Sequence, residues 1–308
     1  MALVLLAGNR EGTYVHRDGR SNQGGSMPPR VKVSAVLNTL NAEATLDLAL
    51  RSLTAWVDEV IVVDMHSDDA TQQIALQHGA RLVLHDRMGS VDPARDSSVA
   101  LAVHEWVLVL DADEVVPASL VPALLDIAGR DAADVVVIPW ANYVFGRRMS
   151  YGTFGPAVDA HARFFKRGSI LSNGGVHSWP EPRPEVRVAR LPATKAFSVL
   201  HFAYADVSDF VRRADRYTTL EAERALAGGN LGSSELVQAC RQFVHGFFVH
   251  RGFRDGRRGW DVALLLLFYR LLVVVKKRQL KDVGDREAVA DYYRSMALSA
   301  IAGDRPLA

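Results

Sequence analysis

The sequence has little cysteine, no excess of charge of one sign and no hydrophobic run long enough to cross a membrane. Cys240 is the single cysteine among 308 residues, so intrachain disulfides are excluded and the chain suits a reducing cytosol. Because Cys240 lies in an apolar helical context, we predict that its side chain is packed. Lys and Arg number 36 against 35 Asp and Glu, and this net charge of +1 argues against recruitment of nucleic acid.

The most membrane-like run is VALLLLFYRLLVVV, residues 262–275, which is shorter than the ~20 residues that span a bilayer and is interrupted by Arg270. Four basic residues follow it: Lys276, Lys277, Arg278 and Lys281. One interpretation is a helix buried in the core or between copies of a homo-oligomer, with a basic last turn that complements the helix dipole. The other is a helix, Trp260 to Gln279, that associates reversibly with an anionic membrane surface. It would make the protein cytoplasmic and peripheral on the inner face of the cell membrane.

Hydrophobic residues make up 49% of the chain and charged residues 23%, which is ordinary for a globular protein. We predict a disordered lead-in over residues 1–30, a catalytic domain over 31–205 and a helical region over 206–308. In the second segment strands and helices alternate up to Leu110, which indicates right-handed crossovers and a mainly parallel sheet. The predicted strands there are Val31–Asn38, Glu59–Asp64, Arg81–His85 and Trp106–Leu110. The predicted helices are Ala42–Ala55, Asp69–His78, Pro93–Val103, Val207–Ala227, Ser234–His250, Trp260–Gln279 and Arg286–Ile301.

A buried strand, Val107 to Leu110, ends abruptly in Asp111-Ala112-Asp113-Glu114. In an open α/β sheet, ligands bind just beyond the carboxyl ends of the strands. Residues two apart on an extended chain point the same way, so Asp111 and Asp113 can aim at one point. Carboxylate oxygens there suit Mg²⁺ or Mn²⁺. The alternative is a solvated acidic turn.

Polar residues follow two other strands at the same predicted edge. Asp64 ends its strand as Asp111 does, and the loop behind it carries Ser67 and Asp69. Hydroxyls and acids there suit a ribose or a base, although one of them is also expected to cap the next helix. Asn38 to Glu43 leaves the first strand at this edge, and Arg95 begins a later helix where it is the candidate for a diphosphate.

The ordered set of motifs resembles the family-2 glycosyltransferases of the GT-A fold, and within them the lipopolysaccharide-core glucosyltransferase-like proteins. The resemblance rests on T-x-N-x-E after the first strand, VVDxxSxDxT, WVLxLDADE and RFFKRG. It also rests on G-G-V-H, H-F-x-Y followed by RYTT, and the Gly252-Phe253-Arg254-Asp255-Gly256 turn. It implies a Rossmann-like, mixed, mainly parallel sheet flanked by helices, with a C-terminal helical extension.

The resemblance also implies roles for individual residues. Thr39, Asn41 and Glu43 would line the nucleotide pocket together with Ser67, Asp69 and Ala112. Asp64 would contact the base or ribose, and Arg95 the base or diphosphate. Asp111 would face the ribose and the metal, and Asp113 would ligate the cation. A metal and an arginine neutralise a diphosphate leaving group, which is otherwise poor. His201 follows an apolar strand, where it is either a contact to metal or phosphate or a hydrogen-bonded core histidine.

The sequence offers several candidates for the general base. An inverting transferase needs a group that takes the proton from the acceptor hydroxyl. Related sequences carry an acid after Val-His, whereas this chain has Ser178 there. The candidates are Glu181, three residues downstream, then His177, and then Asp159. Loss of catalysis is the remaining explanation.

Two other functions stay open at this stage. A sugar nucleotidyltransferase shares the topology and the metal-binding acids, but would usually carry a Gly-rich basic loop after the first strand. A non-catalytic nucleotide-sugar-binding or membrane scaffold protein is kept open by Ser178. The donor is expected to be a nucleoside diphosphate sugar, UDP-sugars being the commonest kind, with Mn²⁺ or Mg²⁺. The acceptor is a lipid-linked glycan, a cell-envelope polysaccharide or a small molecule.

Overall fold

A computed structural model describes residues 2–5, 11–15, 31–87, 94–171, 180–227 and 235–302. The strands are Ala2–Leu5 (β1), Glu11–Val15 (β2), Val33–Thr39 (β3), Glu59–Asp64 (β4), Arg81–Leu84 (β5), Trp106–Asp111 (β6), Glu114–Val115 (β7), Val135–Val144 (β8), Arg147–Arg148 (β9), Ala160–Lys166 (β10), Ile170–Leu171 (β11), Glu181–Pro182 (β12), Val188–Arg190 (β13) and Val199–Tyr204 (β14). The α-helices are Leu46–Arg51 (α1), Thr71–Gln77 (α2), Ala94–Ala100 (α3), Val121–Gly129 (α4), Val207–Ala227 (α5), Glu235–Val244 (α6), Arg257–Val283 (α7) and Arg286–Ala302 (α8). Lys195–Phe197 and Gly252–Asp255 form 3₁₀ turns, and His245–Val249 forms a π-helix.

The centre of the fold is the parallel set β5-β4-β3-β6, joined by α1, α2 and α3. The mixed α/β architecture and the four predicted strands are confirmed, and β4 has the predicted bounds. Helix α1 is shorter than predicted because turns occupy both ends of the expected segment.

Both faces of this sheet are covered at β3, β4 and β6, which explains why these strands are mainly apolar. Alternate residues of a strand point to opposite faces. Accordingly, Leu37 and Leu108 pack in one core cluster, whereas Val36, Val107 and Val109 pack in another. Polar side chains lie at the carboxyl ends of β3 and β6, where Asn38 and Thr39 are buried and Asp111 is partly exposed.

Beyond β6 the sheet becomes mixed. Strand β10 pairs antiparallel with β6 and with β8, and β13 and β14 both lie parallel to β8. A hairpin turns at Gly146, where β9 pairs with the end of β8 and Gly146 has φ +73°. A positive φ is a conformation that glycine adopts at no steric cost.

Within the first 30 residues the structure describes two short strands, and the disordered lead-in stays a prediction. Strands β1 and β2 pair antiparallel, and β2 lies parallel to β13 at the edge of the sheet. The division of the chain at residue 205 stays a prediction.

The predicted C-terminal helices are present, and α7 packs against α5 and α6. None of the helices in the described ranges is long and apolar enough to cross a membrane. The side chain of Cys240 is exposed, so our prediction that it packs is wrong. Its neighbour Ala239 faces the core instead, because on a helix adjacent residues point about 100° apart.

Candidate active site

The carboxyl ends of β3, β4 and β6 meet at one edge of the sheet. In the strand registers Asn38 lies beside Asp111, and Thr39 lies beside Asp64. The polar side chains that were predicted to converge therefore lie at adjacent positions of neighbouring strands.

Asp64 is completely buried and is surrounded by donors. One carboxylate oxygen accepts hydrogen bonds from the hydroxyls of Thr39 (2.8 Å) and Ser67 (2.5 Å). The other accepts from the Ser67 backbone N–H (2.8 Å) and from the Gln72 side-chain amide (2.7 Å). With four donors, Asp64 ties the end of β4 to the loop that follows it, so contact with a base or ribose would require exchange of these bonds.

The loops after β3 and β4 are joined by hydrogen bonds. Asn41, at φ +51°, accepts a hydrogen bond from the Asp68 backbone N–H (2.9 Å). Glu43 accepts from the Ala70 N–H (3.0 Å), and the Glu43 N–H donates to Asp69 (3.2 Å). Of the predicted nucleotide-pocket residues in these two loops, Asn41 lines the large cavity described below.

A buried ion pair next to Asp111 fixes its position. Arg163, on β10, is 1% exposed, and its guanidinium lies 2.5 Å from Glu114 and 3.2 Å from Asp111. The other oxygen of Glu114 accepts the Asp111 backbone N–H at 2.9 Å. Burial raises the pKa of Glu114, and the Arg163 charge opposes that shift. Glu114 and Arg163 thus fix the turn that presents Asp111 and Asp113, and the guanidinium also lies over the Trp140 ring at 4.7 Å.

Asp113 faces His201 of β14, whose Nε2 lies 3.8 Å from the carboxylate oxygen Oδ1. The ring of His201 is oriented by Asn142, because His201 Nδ1 lies 2.6 Å from the Asn142 Oδ1. The Asn142 amide nitrogen lies 3.0 Å from the Phe154 carbonyl oxygen and 2.7 Å from Asp159, both acceptors. Asn142 Oδ1 is therefore the acceptor toward His201.

This arrangement fixes the tautomer of His201. Nδ1 must carry the proton that is donated to Asn142, so Nε2 presents its lone pair toward Asp113. Burial lowers the pKa of His201, which favours the neutral ring. A neutral imidazole oriented through its other nitrogen, beside a carboxylate, is a fitting pair of ligands for a divalent cation. The described residues contain no ready cluster of three or more such ligands, so a diphosphate and water would complete the coordination.

These residues line a cavity of about 1310 Å³. One wall is the strand edge, with Asp111, Ala112 and Asp113, and the opposite wall comes from α5, α6 and α7. Arg213 of α5 crosses between the walls, 3.3 Å from Asp113 and 3.2 Å from Asp209. The volume exceeds the ~300–1,000 Å³ of ordinary ligand pockets, so two substrates can occupy it together.

Comparison with known proteins identifies the family. The sequence profile described as Glycosyl transferase family 2 matches residues 34–170, from β3 into β11. Residues 34–170 are a family-2 glycosyltransferase domain. This transferase is 25% identical over 255 residues to an uncharacterized glycosyltransferase of Rickettsia felis, covering 80% of the chain and 90% of that protein. It is 24% identical over 270 residues to one of Rickettsia conorii, covering 85% of the chain and 95% of that protein.

Among solved structures, one match is glucosyl-3-phosphoglycerate synthase from Mycobacterium tuberculosis in complex with Mn²⁺, UDP and glucosyl-3-phosphoglycerate. The identity is 27%, over 42% of this chain and 51% of that one, with a TM-score of 0.33. The transferase thus spans about half the length of this solved structure. Assignment to the lipopolysaccharide-core subgroup stays a prediction.

The three candidates for the base of the transferase differ in position. Asp159 lines the cavity, bound to Asn142 and, at 2.7 Å, to His161. Glu181 is exposed on β12, where it pairs with Leu171 of β11, and it is not a cavity residue. His177 and Ser178 lie outside the described residues, as does the side chain of Arg95.

Sequence reasoning missed the residues that support the site of the transferase. Asn142 carried no signal, since it lies within β8, between Ala141 and Tyr143, and belongs to no motif. Arg163 was visible within RFFKRG, and Arg213 stands three residues before RYTT, but neither pattern indicates which acid the arginine contacts. Both arginines pair with acids of the Asp111-to-Glu114 turn.

Proposed function

We propose that this glycosyltransferase moves a sugar from a nucleoside diphosphate sugar to a hydroxyl of its acceptor, with inversion and with Mn²⁺ or Mg²⁺. The observation that carries the proposal is the pair of Asp113 and His201, whose potential ligand atoms lie 3.8 Å apart beside Asp111. Carboxylate and neutral imidazole at a strand end, in a cavity for two substrates, suit a metal-bound diphosphate. The proposed acceptors are a lipid-linked glycan, a cell-envelope polysaccharide or a small molecule.

In this mechanism Asp113 and His201 would hold the cation, and Asp111 would face the ribose and the metal. The bound cation supplies neutralisation of charge on the diphosphate leaving group. Arg213 adds a second positive charge from the helical wall, where its side chain is 41% exposed and can reach phosphate oxygens. Asn142 keeps the His201 lone pair toward the ligand, and Arg163 keeps Asp111 at the strand end.

Donor turnover tests this proposal. UDP-, GDP- and dTDP-sugars are incubated with the protein, with Mn²⁺ or with a chelator, and release of the nucleoside diphosphate is measured. We expect release from one class of donor that depends on the metal. A nucleotide that binds the native state at a hundredfold excess over Kd should also stabilise the protein by about 2.7 kcal/mol. Binding without any donor turnover would indicate the scaffold function instead.

We further propose that the general base is a carboxylate at the cavity, and that Asp159 meets this description better than Glu181. The Asp159→Asn variant should lower kcat about 10²–10⁴-fold, whereas Glu181→Gln should leave it near the native value. His177→Ala is measured beside them. Because Asp159 also contacts Asn142, the Mn²⁺ dependence of UDP binding serves as control. A loss of kcat at Glu181→Gln with unchanged UDP affinity would assign the base to Glu181.

We also propose reversible association of α7 with an anionic membrane surface. Trp260, Leu264, Phe268 and Val275 share one helix face and are 41–58% exposed. Of the basic cluster, Arg278 and Lys281 are exposed, whereas Lys277 is buried and Lys276 binds Asp215. Two basic side chains and an apolar stripe therefore remain for headgroups and acyl chains.

Co-sedimentation with vesicles tests the membrane proposal. The protein should pellet with anionic but not with zwitterionic vesicles, and raised salt should release it because exposed charges are screened. The double variant Leu264→Asp and Phe268→Asp should stay in the supernatant, with Val283→Asp, farther along the same helix, as control. Failure to bind anionic vesicles at low ionic strength would contradict the proposal, and a dimer in light scattering would assign the face to a homo-oligomer.

A further inference from the structure

The turn from Gly252 to Gly256, singled out in the sequence, contacts a loop of the catalytic half. The Asp255 carboxylate accepts hydrogen bonds from the backbone N–H groups of Ser150 (3.1 Å) and Tyr151 (2.9 Å). Next to it, the Arg254 guanidinium lies 4.6 Å from the centroid of the Tyr151 ring. A carboxylate that accepts two adjacent backbone N–H groups fixes the direction in which the loop leaves β9.

Glycines bring the two segments into backbone contact. A Cβ atom on Gly252 would lie 2.9 Å from the Gly246 carbonyl oxygen, and one on Gly246 would lie 2.6 Å from the Thr153 hydroxyl. Gly152 donates its backbone N–H to the His250 carbonyl at 2.9 Å. Since side chains on these residues would clash, the π-helix, the turn and the loop pack as one closely fitted unit.

The far side of this loop reaches the candidate metal ligands. Tyr151 to Phe154 line the cavity, and the Phe154 carbonyl accepts the amide hydrogen bond of Asn142 (3.0 Å). Asn142 in turn orients His201 (2.6 Å), whose Nε2 faces Asp113. An unbroken series of contacts therefore runs from the turn, through the loop, to His201.

We propose that Asp255 is a positioning residue for the metal site: by holding residues 150–154 it keeps Asn142, and hence the lone pair of His201, directed at the cation. This inference rests on the proposed function. Outer partners of a ligating histidine commonly change metal affinity by about 10–100-fold when they are removed. Asp255 acts through the loop rather than on the ligand itself, so we expect about tenfold.

The test compares Asp255→Asn with Asp285→Asn in the full-length protein. Asp285 is a matched control because its carboxylate also accepts a backbone N–H, that of Ala288 at 2.9 Å, at the start of α8. In the metal-free proteins, hydrogen exchange of the Ser150 and Tyr151 amides is measured. UDP binding is then titrated as a function of Mn²⁺ concentration.

For Asp255→Asn we expect faster exchange at residues 150–151 and about a tenfold rise in the Mn²⁺ concentration for half-maximal UDP binding. UDP affinity without metal should be unchanged, and Asp285→Asn should match the wild type in both assays. A loosened loop with wild-type Mn²⁺ dependence would overturn the inference and leave the proposed function intact. A wild type without Mn²⁺-dependent UDP binding would overturn both.

Arg254→Gln covers the case in which Asp255→Asn does not fold. Arg254 is exposed, so its replacement leaves no buried charge, yet it removes the cation over the Tyr151 ring. We expect the same change in Mn²⁺ dependence, reduced to about two- to fivefold, because a cation–π contact at an exposed site is weak. No change in this variant, with a folded protein, would count against positioning by the turn.

Discussion

The Asp113→Ala variant is expected to lose catalysis and the Mn²⁺ dependence of nucleotide binding together. Asp113 supplies the carboxylate that lies 3.8 Å from His201 Nε2. Without Asp113, only one ligand of this pair remains. The several kcal/mol by which the cation stabilises the charge are then lost, and kcat should fall at least about 10²–10³-fold. Donor turnover and UDP binding with and without Mn²⁺ measure the two effects.

The fold of Asp113→Ala should be preserved. The Asp113 side chain is 20% exposed, and Arg213 keeps its second partner, Asp209, at 3.2 Å. No charge is therefore left buried and unpaired. Asp285→Ala, at the start of α8, is the control for loss of an aspartate far from the cavity. Native turnover in Asp113→Ala would remove this residue from the proposed metal site.

The Arg163→Met variant is expected to lose about 3–5 kcal/mol of the free energy of unfolding, because one partner of a buried ion pair is removed. Arg163 is 1% exposed and Glu114 is fully buried, so the Glu114 carboxylate would stay in the interior without its cation. Urea unfolding at neutral pH measures the loss. The released turn should also displace Asp111 and lower turnover.

A second substitution separates the ion pair from packing. Glu114→Gln removes the charge while its amide oxygen can still accept the Asp111 backbone N–H. The double variant Arg163→Met with Glu114→Gln should therefore recover a large part of the lost stability, as a coupling energy of about 1–3 kcal/mol in a double-mutant cycle. Strictly additive losses would show that Arg163 stabilises through its packing on Trp140 instead.

Much of the parallel sheet is predictable from the sequence because its strands are buried on both faces. Uninterrupted apolar runs such as Glu59–Asp64 and Trp106–Asp111 report that burial directly, and the acids that end them mark the strand ends. The helix bounds were less accurate, as in α1, because the flanking turns contain residues that also suit helices. The N-terminal strands β1 and β2 carried no such pattern.

The supporting side chains of the site were not predictable, because they come from distant parts of the chain. Asn142 and His201 are 59 residues apart, and Arg213 lies 100 residues after its partner Asp113. The position of Glu181 was also beyond the sequence. Because Glu181 is three residues from Ser178 along the chain, the sequence suggested that it lies in the active site. In the structure β12 pairs with β11, and Glu181 is exposed and does not line the cavity.

The sequence by itself determined that an α/β sheet presents Asp64, Asp111 and Asp113 at one edge, because strand periodicity and burial are local properties that successive residues encode. Only the tertiary structure decided what surrounds each acid. It buried Asp64 among four donors, paired Asp111 with Arg163, and set Asp113 opposite His201. These differences depend on which distant side chains share a small volume, and burial, hydrogen bonding and charge pairing in that volume give three similar carboxylates different chemistry.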